Sequence, residues 1–575
     1  MLVTFSGVAP GLLIVTTCAA LVVPTFCAAK VKLSGVSPIT RQAYELSSNL
    51  SREERLVAEG RYRAIDHEHE KSIEIYRTLF TLFPDNLDYG LKLAEEQSRG
   101  GKGHDALATI ELLRKLGPRA SEDPRIELEE ATAWRGQADL KHEEQPLARA
   151  AEKARAQGSR LILAQALEDQ CVLFSYFGQV QNAVAAGRES RDIRAAGGDR
   201  KGEARSLRAW ADATTETDAP ESIRLYQQAQ ALFRSVGSAG GEAEVLNNLG
   251  LVYETQGDLA TAEKMHRQAL AIFRLLDEKA QEIAAIGNVA DERMEQGDLQ
   301  GAIHLYEEQL QLWEPGTTKN PFPVYNIALL HDLQGDLTGA KQGFEQSLEI
   351  WQKIGDQDSS AYAMWSLGSL LVQQADFSGA RKMYEKALTL RTAAGDKLSI
   401  AETKLALADL SLEEGRSPVE QKAAIRQILE VFRQQKARDN ETEAWCSLAR
   451  SLVADGKAAA ATEAMQHARA LAAKSQNPEI RWQSIITAAR IKTAEIDVAH
   501  SAARNATRKE LATIIAKSRE LGYLGIELDA RLALAEIEMK SGQLPLGTAH
   551  LVAIEADAKA KGYNLIARKA VLARS

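Results

Sequence analysis

AEVLNNLGLVYETQGDLATAEKMHRQALAIF, residues 243–273, is followed by EIAAIGNVADERMEQGDLQGAIHLYEEQLQLW (282–313), PVYNIALLHDLQGDLTGAKQGFEQSLEIW (323–351) and YAMWSLGSLLVQQADFSGARKMYEKALTL (362–390). Gly257, Gly297, Gly335 and Ala375 mark one turn in each line, at spacings of 40, 38 and 40 residues. Self-similarity at such a period signals a solenoid. In each line a helical apolar pattern runs up to the turn and a second runs away from it, which predicts two antiparallel helices. Small residues recur most regularly: Gly250, Ala290, Ala328 and Gly368 before the turn, Ala262, Ala302, Ala340 and Ala380 after it. Helices that cross closely leave no room for a side chain, so each pair marks a contact within one unit. Leu249, Val289, Ile327 and Leu367, with Tyr306, Phe344 and Tyr384, fill the gaps between units.

The pattern resembles the tetratricopeptide repeat, matched best by Leu249, Gly250, Tyr253, Gly257, Asp258, Ala262 and Ala269. The resemblance implies an all-α, right-handed superhelical solenoid of stacked antiparallel helix pairs. REERLVAEGRYR (52–63), IYRTLFTLFPDNLDYGLKLA (75–94), LDARLALAEIEMKSG (528–542) and KAKGYNLIARKA (559–570) are also similar to the repeat arms of large bacterial regulators that carry a kinase or DNA-binding domain.

Outward from the core array of 241–396, the period persists with Gly415 and Gly456 through further units at 397–475 and then fades. Residues 476–575 read as degenerate helical repeats and a C-terminal cap, which an open solenoid needs. Towards the N-terminus, 120–240 is an irregular stretch and 51–119 holds short-period units closed by Pro84 and Pro118. Ser51 and Glu54 form a capping-box signature behind a polar linker, 30–50. The sum is about thirteen helical pairs.

Residues 1–29 carry no charged side chain, and 12–29 are long enough to span a bilayer. A cleaved signal ending near Cys27 and a retained anchor compete, and predict opposite compartments for the repeats. Membrane attachment or export is favoured over a cytoplasmic start. A net charge of −9 over 575 residues, without a basic stripe, argues against a nucleic-acid partner. Cys171 and Cys446 sit in helices several units apart and read as buried thiols.

No stretch supplies catalysis. His67-Glu68-His69-Glu70 lacks metal-ligand spacing, Gly237–Gly241 lacks the Lys-Ser/Thr of a phosphate loop, and nothing calls for a cofactor or metal. Binding does have an address. Asn248, Asn288 and Asn326, then Ser366, occupy one position of successive first helices, which in tetratricopeptide arrays lines the concave groove. A ladder of amides can donate to and accept from an extended backbone. Asn247, Tyr325 and Trp365 stand beside it, and Leu251, Asp291, Leu329 and Ser369 share its wall. Glu254, Asp291, Glu295 and Asp332 tilt it acidic, favouring a ligand of basic character. The expectation is a non-enzymatic scaffold binding a peptide or protein segment at these residues. The alternative is a signalling arm that works with a separate kinase or transcription regulator. Exposed end units also allow homo-oligomers.

Overall fold

The computed structural model describes residues 44–66, 68–313, 320–416, 418–475, 477–495 and 501–575. The expected anchor or signal at 1–29, most of the 30–50 linker, His67 and Ser417 lie outside the described residues. Among the described residues no helix is long and apolar enough to cross a membrane. They hold twenty-eight α-helices and no strand, so the chain is an all-α solenoid of consecutive antiparallel pairs. Setting aside the four-residue helix Pro118–Ser121 and the closing helix Asn564–Leu572, thirteen pairs remain. Two compact units divide the described residues, one ending at Asn288 and the other beginning at Val289.

The turn residues act through the backbone. Gly257, Gly297 and Gly335 take φ of 77°, 86° and 81°, and Ala375 takes 62°, the left-handed conformation that ends a helix. The aspartate that follows starts the next helix: Oδ1 of Asp258, Asp298, Asp336 and Asp376 accepts from the amide three residues on. Each Gly-Asp pair thus stops one helix and caps another. Ser51 and Glu54 form the expected capping box before Arg52–Ile65.

The small residues lie where the helices of a pair cross. Ala262, Ala302, Ala340 and Ala380 are fully buried. A Cβ on Gly368 would stand 2.6 Å from the Tyr384 ring, and one on Gly250 2.2 Å from His266 Nε2. Tyr306, Phe344 and Tyr384 are buried as expected, and His266 holds the corresponding place in the first line.

In the C-terminal unit the last helices do not end as an open cap. Trp482, Ile486, Leu511, Ile514 and Ile526 share a core with Leu299, Ile303, Tyr306 and Leu330. Leu528, Tyr563 and Ala567 pack on Leu337. The unit therefore closes on itself, and apolar surface near its two ends is buried mutually instead of being covered by a polar cap. The Tyr563 hydroxyl donates to the Asp332 carbonyl at 3.2 Å, and Asn564 Nδ2 to the Gln374 carbonyl at 3.1 Å.

This closure makes one turn glycine unlike the others. A Cβ at Gly335 would meet Leu524 Cδ2 at 2.3 Å, whereas one at Gly355, φ 77°, meets nothing within 4 Å. Gly355→Ala is expected to cost about 1–2 kcal/mol for a left-handed alanine. Gly335→Ala should cost about 1–3 kcal/mol more, because Leu524 must also move. Equilibrium urea unfolding of both variants checks the difference; equal losses would mean Leu524 does not rest on that turn.

Candidate functional site

The asparagine ladder is present but engaged with the protein itself. Asn248 Nδ2 donates to Asp212 Oδ1 at 3.0 Å, and Asn288 Nδ2 to Asn247 Oδ1 at 3.0 Å. In the C-terminal unit Asn326 Nδ2 donates to the Tyr306 hydroxyl at 3.0 Å, and the Tyr306 hydroxyl hydrogen-bonds to Asp291. The Tyr325 and Ser366 hydroxyls meet at 2.8 Å. These bonds tie each first helix to the preceding repeat. Asn288, Asp291, Tyr325, Asn326, Leu329 and Ser366 are buried, whereas Asn247, Asn248, Leu251, Glu254 and Glu295 are half-buried. Burial raises the Asp291 carboxyl well above the usual carboxylate range, and that of Glu295 to about 7.

Three of the expected residues, Asp332, Trp365 and Ser369, instead line a chamber of about 670 Å³ inside the C-terminal unit. Its wall is built from helices Pro321–Gln334, Gln357–Gln373, Lys397–Glu413, Arg438–Ala454, Pro478–Glu495, Leu524–Lys540 and Asn564–Leu572, mainly the first helices of successive pairs. The fold-back of the last helices closes the wall. Tyr384, Leu405, Leu410, Phe432, Ile480 and Ile491 supply apolar surface. Cys446 also faces the chamber and is partly exposed, while Cys171 is buried as expected and donates to the Ala209 carbonyl at 3.3 Å. Burial pushes the Cys446 thiol up to about 12, so it is no ready nucleophile.

The charged residues of the chamber fall into two groups by their partners. Seven carboxylates line it (Asp332, Glu402, Asp409, Glu413, Glu443, Glu479 and Asp529) against three cations, Arg450, Arg490 and Lys569. All three cations are already paired. Arg450 Nη2 lies 2.5 Å from Asp409 Oδ1, Lys569 Nζ 2.7 Å from Glu413 Oε1, and Arg490 Nη2 2.9 Å from Asp529 Oδ1. Burial alone would raise the Glu413 and Asp529 carboxyls, but Lys569 and Arg490 more than offset it and hold both below the usual range.

The other carboxylates have less compensation. Glu402 accepts from Asn440 Nδ2 at 2.9 Å and has Arg391 Nη1 at 3.4 Å. Among the described residues the Asp332 carboxylate accepts only from the uncharged Gln373 amide, at 3.1 and 3.3 Å. Among the described residues no Lys, Arg or His nitrogen lies within 4.0 Å of Asp332, Glu443 or Glu479. Burial pushes Asp332 up to about 6 and Glu479 up to about 7, with the Asp332 charge adding to the latter. The Glu443 carboxyl is likewise held well above the usual carboxylate range, through burial and then the charges of Glu479, Asp439, Glu402 and Asp409. Trp365 is buried, and among the described residues its Nε1–H has no acceptor.

Most of these residues escaped the sequence reading because it stopped at Ser369. Continued at the same interval, that column runs Ser369, Asp409, Arg450, Arg490, Asp529 and Lys569, with steps of 40, 41, 40, 39 and 40. Each of the six lines the chamber. Glu402 and Glu443, 41 apart, form a second column about two turns away. The signal was charge at a fixed register, in units whose apolar pattern had weakened. Among the described residues no group of three or more His, Cys, Asp or Glu side chains is arranged to hold a metal ion.

The model of the tetratricopeptide repeat family matches residues 214–275 and 322–393. No curated protein matches the chain. Among solved structures it is similar to the apo form of the quorum sensor NprR from B. thuringiensis, at 14% identity and TM-score 0.46 over 60% of this chain and 97% of that one. The apo form of RapI matches at 16% identity and TM-score 0.41, over 48% of this chain and all of that one. A Rap protein complexed with competence and sporulation factor matches at 14% identity and TM-score 0.40, over 64% and 99%. The matched segments contain the turns at Gly257, Gly335 and Ala375 with their aspartate caps and the crossings at Ala262, Ala340 and Ala380, so over these segments the chain is built of repeats of the tetratricopeptide type.

Proposed function

We propose that the protein is a non-enzymatic scaffold that holds an extended peptide or protein segment of basic character in the chamber of its C-terminal unit. The carrying observation is the chamber itself: about 670 Å³, walled by successive repeats, with apolar surface and an excess of four carboxylates over cations. Preformed concave sites with few polar groups suit recognition, and a wall already held by packing loses little entropy when it binds. The acidic surplus selects against acidic partners. Its recognition residues include Asp332, Trp365 and Ser369 from the expected set, while the asparagine ladder keeps the repeats in register.

Affinity capture tests this reading. Wild type and Ser369→Trp, which places a large ring in the chamber, are compared in a lysate of the native organism, with circular dichroism showing both folded. Partners identified by mass spectrometry should be retained by wild type and reduced at least tenfold with the variant. An unchanged set of partners would remove the chamber from the function.

A further inference from the structure

Helix Asn564–Leu572 is fastened differently on its two sides. It has nine residues, whereas Gln357–Gln373 and Lys397–Glu413, on the facing side of the chamber, have seventeen each. Leu565, Ile566 and Lys569 of the short helix line the chamber. On the side of the preceding pair, Ala567 is buried with Leu528 and Ala558, and Ala570 with Leu532, Leu551 and Ile554. Just before the helix, Tyr563 is anchored on Leu337. Past that anchor, polar side chains bridge the seam to the facing repeats. Asn564 Nδ2 donates to the Gln374 carbonyl at 3.1 Å, Lys569 Nζ donates to Glu413 Oε1 at 2.7 Å, and the Arg568 guanidinium stands 5.8 Å from the centre of the Phe377 ring. Asn564 and Arg568 are exposed, and Lys569 is half-buried. Partly exposed ion pairs are weak and screened by salt, and local opening starts where polar contacts rather than apolar burial close a joint.

We propose that this seam is a side entrance to the chamber, and that helix Asn564–Leu572 is a strap which parts from Gln374, Phe377 and Glu413 while Tyr563 stays anchored. The lock is the Lys569–Glu413 pair. Both residues line the chamber as well as closing it, so whatever enters meets the lock itself. An opening along the wall admits an internal segment of a folded partner, which has no free end to thread through a closed ring. The identity of what enters rests on the segment-binding reading above; the strap is tested without any segment.

Cys446, on the chamber wall, is a built-in probe of access. The full chain is labelled with N-ethylmaleimide or with the bulkier fluorescein-5-maleimide, and the rate at Cys446 is read by peptide mass spectrometry. The ratio of the two rates cancels any change in thiol reactivity and leaves the effect of size. In wild type the bulky reagent should be held back, and the ratio should rise about fivefold between about 0.05 and 0.5 M salt as the lock is screened. Lys569→Met should give the raised ratio already at low salt and no longer respond to salt. Lys559→Met, which removes an exposed ion pair with Glu555 on the neighbouring helix, should behave as wild type. Hydrogen exchange in Arg438–Ala454, the helix that carries Cys446, should be equal in wild type and Lys569→Met. A ratio that neither salt nor Lys569→Met moves overturns the strap, as does exchange in Arg438–Ala454 that quickens in step with labelling, the mark of unfolding. If the ratio moves as expected while Ser369→Trp leaves capture unchanged, the strap stands and the segment-binding reading falls.

Discussion

Tyr563→Ala is expected to destabilise the C-terminal unit by about 3–5 kcal/mol, the range for removing a buried aromatic side chain. The ring is only 3% exposed and packs with Leu337, Leu528, Ala558 and Ala567, and its hydroxyl donates to the Asp332 carbonyl. It joins residues more than 200 positions apart in the chain, at the place where the last helices meet helix Pro321–Gln334. Loss of the ring leaves a cavity at that junction, and the neighbouring lining residue Asp332 loses its backbone anchor. The effect therefore falls on the chamber as well as on stability. Urea unfolding should show a lower midpoint for the C-terminal unit, and hydrogen exchange should quicken in Asn564–Leu572 and in Pro321–Gln334 together. A loss below about 1 kcal/mol, with exchange unchanged in the second helix, would show that the closure does not hold the unit together.

The second large effect is a pH dependence centred on His266. Its ring fills the position that Tyr306, Phe344 and Tyr384 occupy in the following repeats, is fully buried, and has Nε2 3.0 Å from the Asn247 carbonyl. Burial lowers its pKa from 6.5 to about 4, and the hydrogen bond to the carbonyl only partly opposes this. The unfolded chain then binds a proton that the folded chain refuses. Between pH 6.5 and 4 the contribution of His266 makes stability fall as the pH falls. At about 1.4 kcal/mol per pKa unit the difference amounts to about 3 kcal/mol. His266→Phe, which restores an aromatic hydrocarbon to the column, is expected to cost less than about 1.5 kcal/mol at pH 7. On that arithmetic it should overtake wild type at or above about pH 5.4. Unfolding free energies of both proteins across pH 4–7 decide the matter; parallel curves would mean that the imidazole is protonated in the native state.

His266 also shows how far a repeat pattern can be read from sequence. The columns of small and aromatic residues fixed helix, turn and pairing, because each rests on a local requirement: no Cβ at a crossing, a left-handed residue at a helix end, a carboxylate on free amides. Such requirements recur in every unit and are written at a fixed interval. The polar column beside them was harder to interpret. Asn326, Ser366 and their neighbours were legible as a ladder, yet a side chain between stacked helices can face a ligand or the next repeat. The sequence contains the same letters in either case. Asn326 turns to Tyr306, and Ser366 to Tyr325.

The sequence by itself determined an all-α solenoid, its units, its caps and its crossings, since these depend on residues at most one repeat apart. Tertiary structure alone decided that Tyr563 and Leu528 return to Leu337 and that Leu524 returns to Gly335. It also decided that Lys569 answers Glu413 from 156 residues away while Glu443 and Glu479 remain unanswered. Curvature is the physical reason: it accumulates from small rotations at every repeat interface, and no single repeat encodes where the sum will bring the ends together.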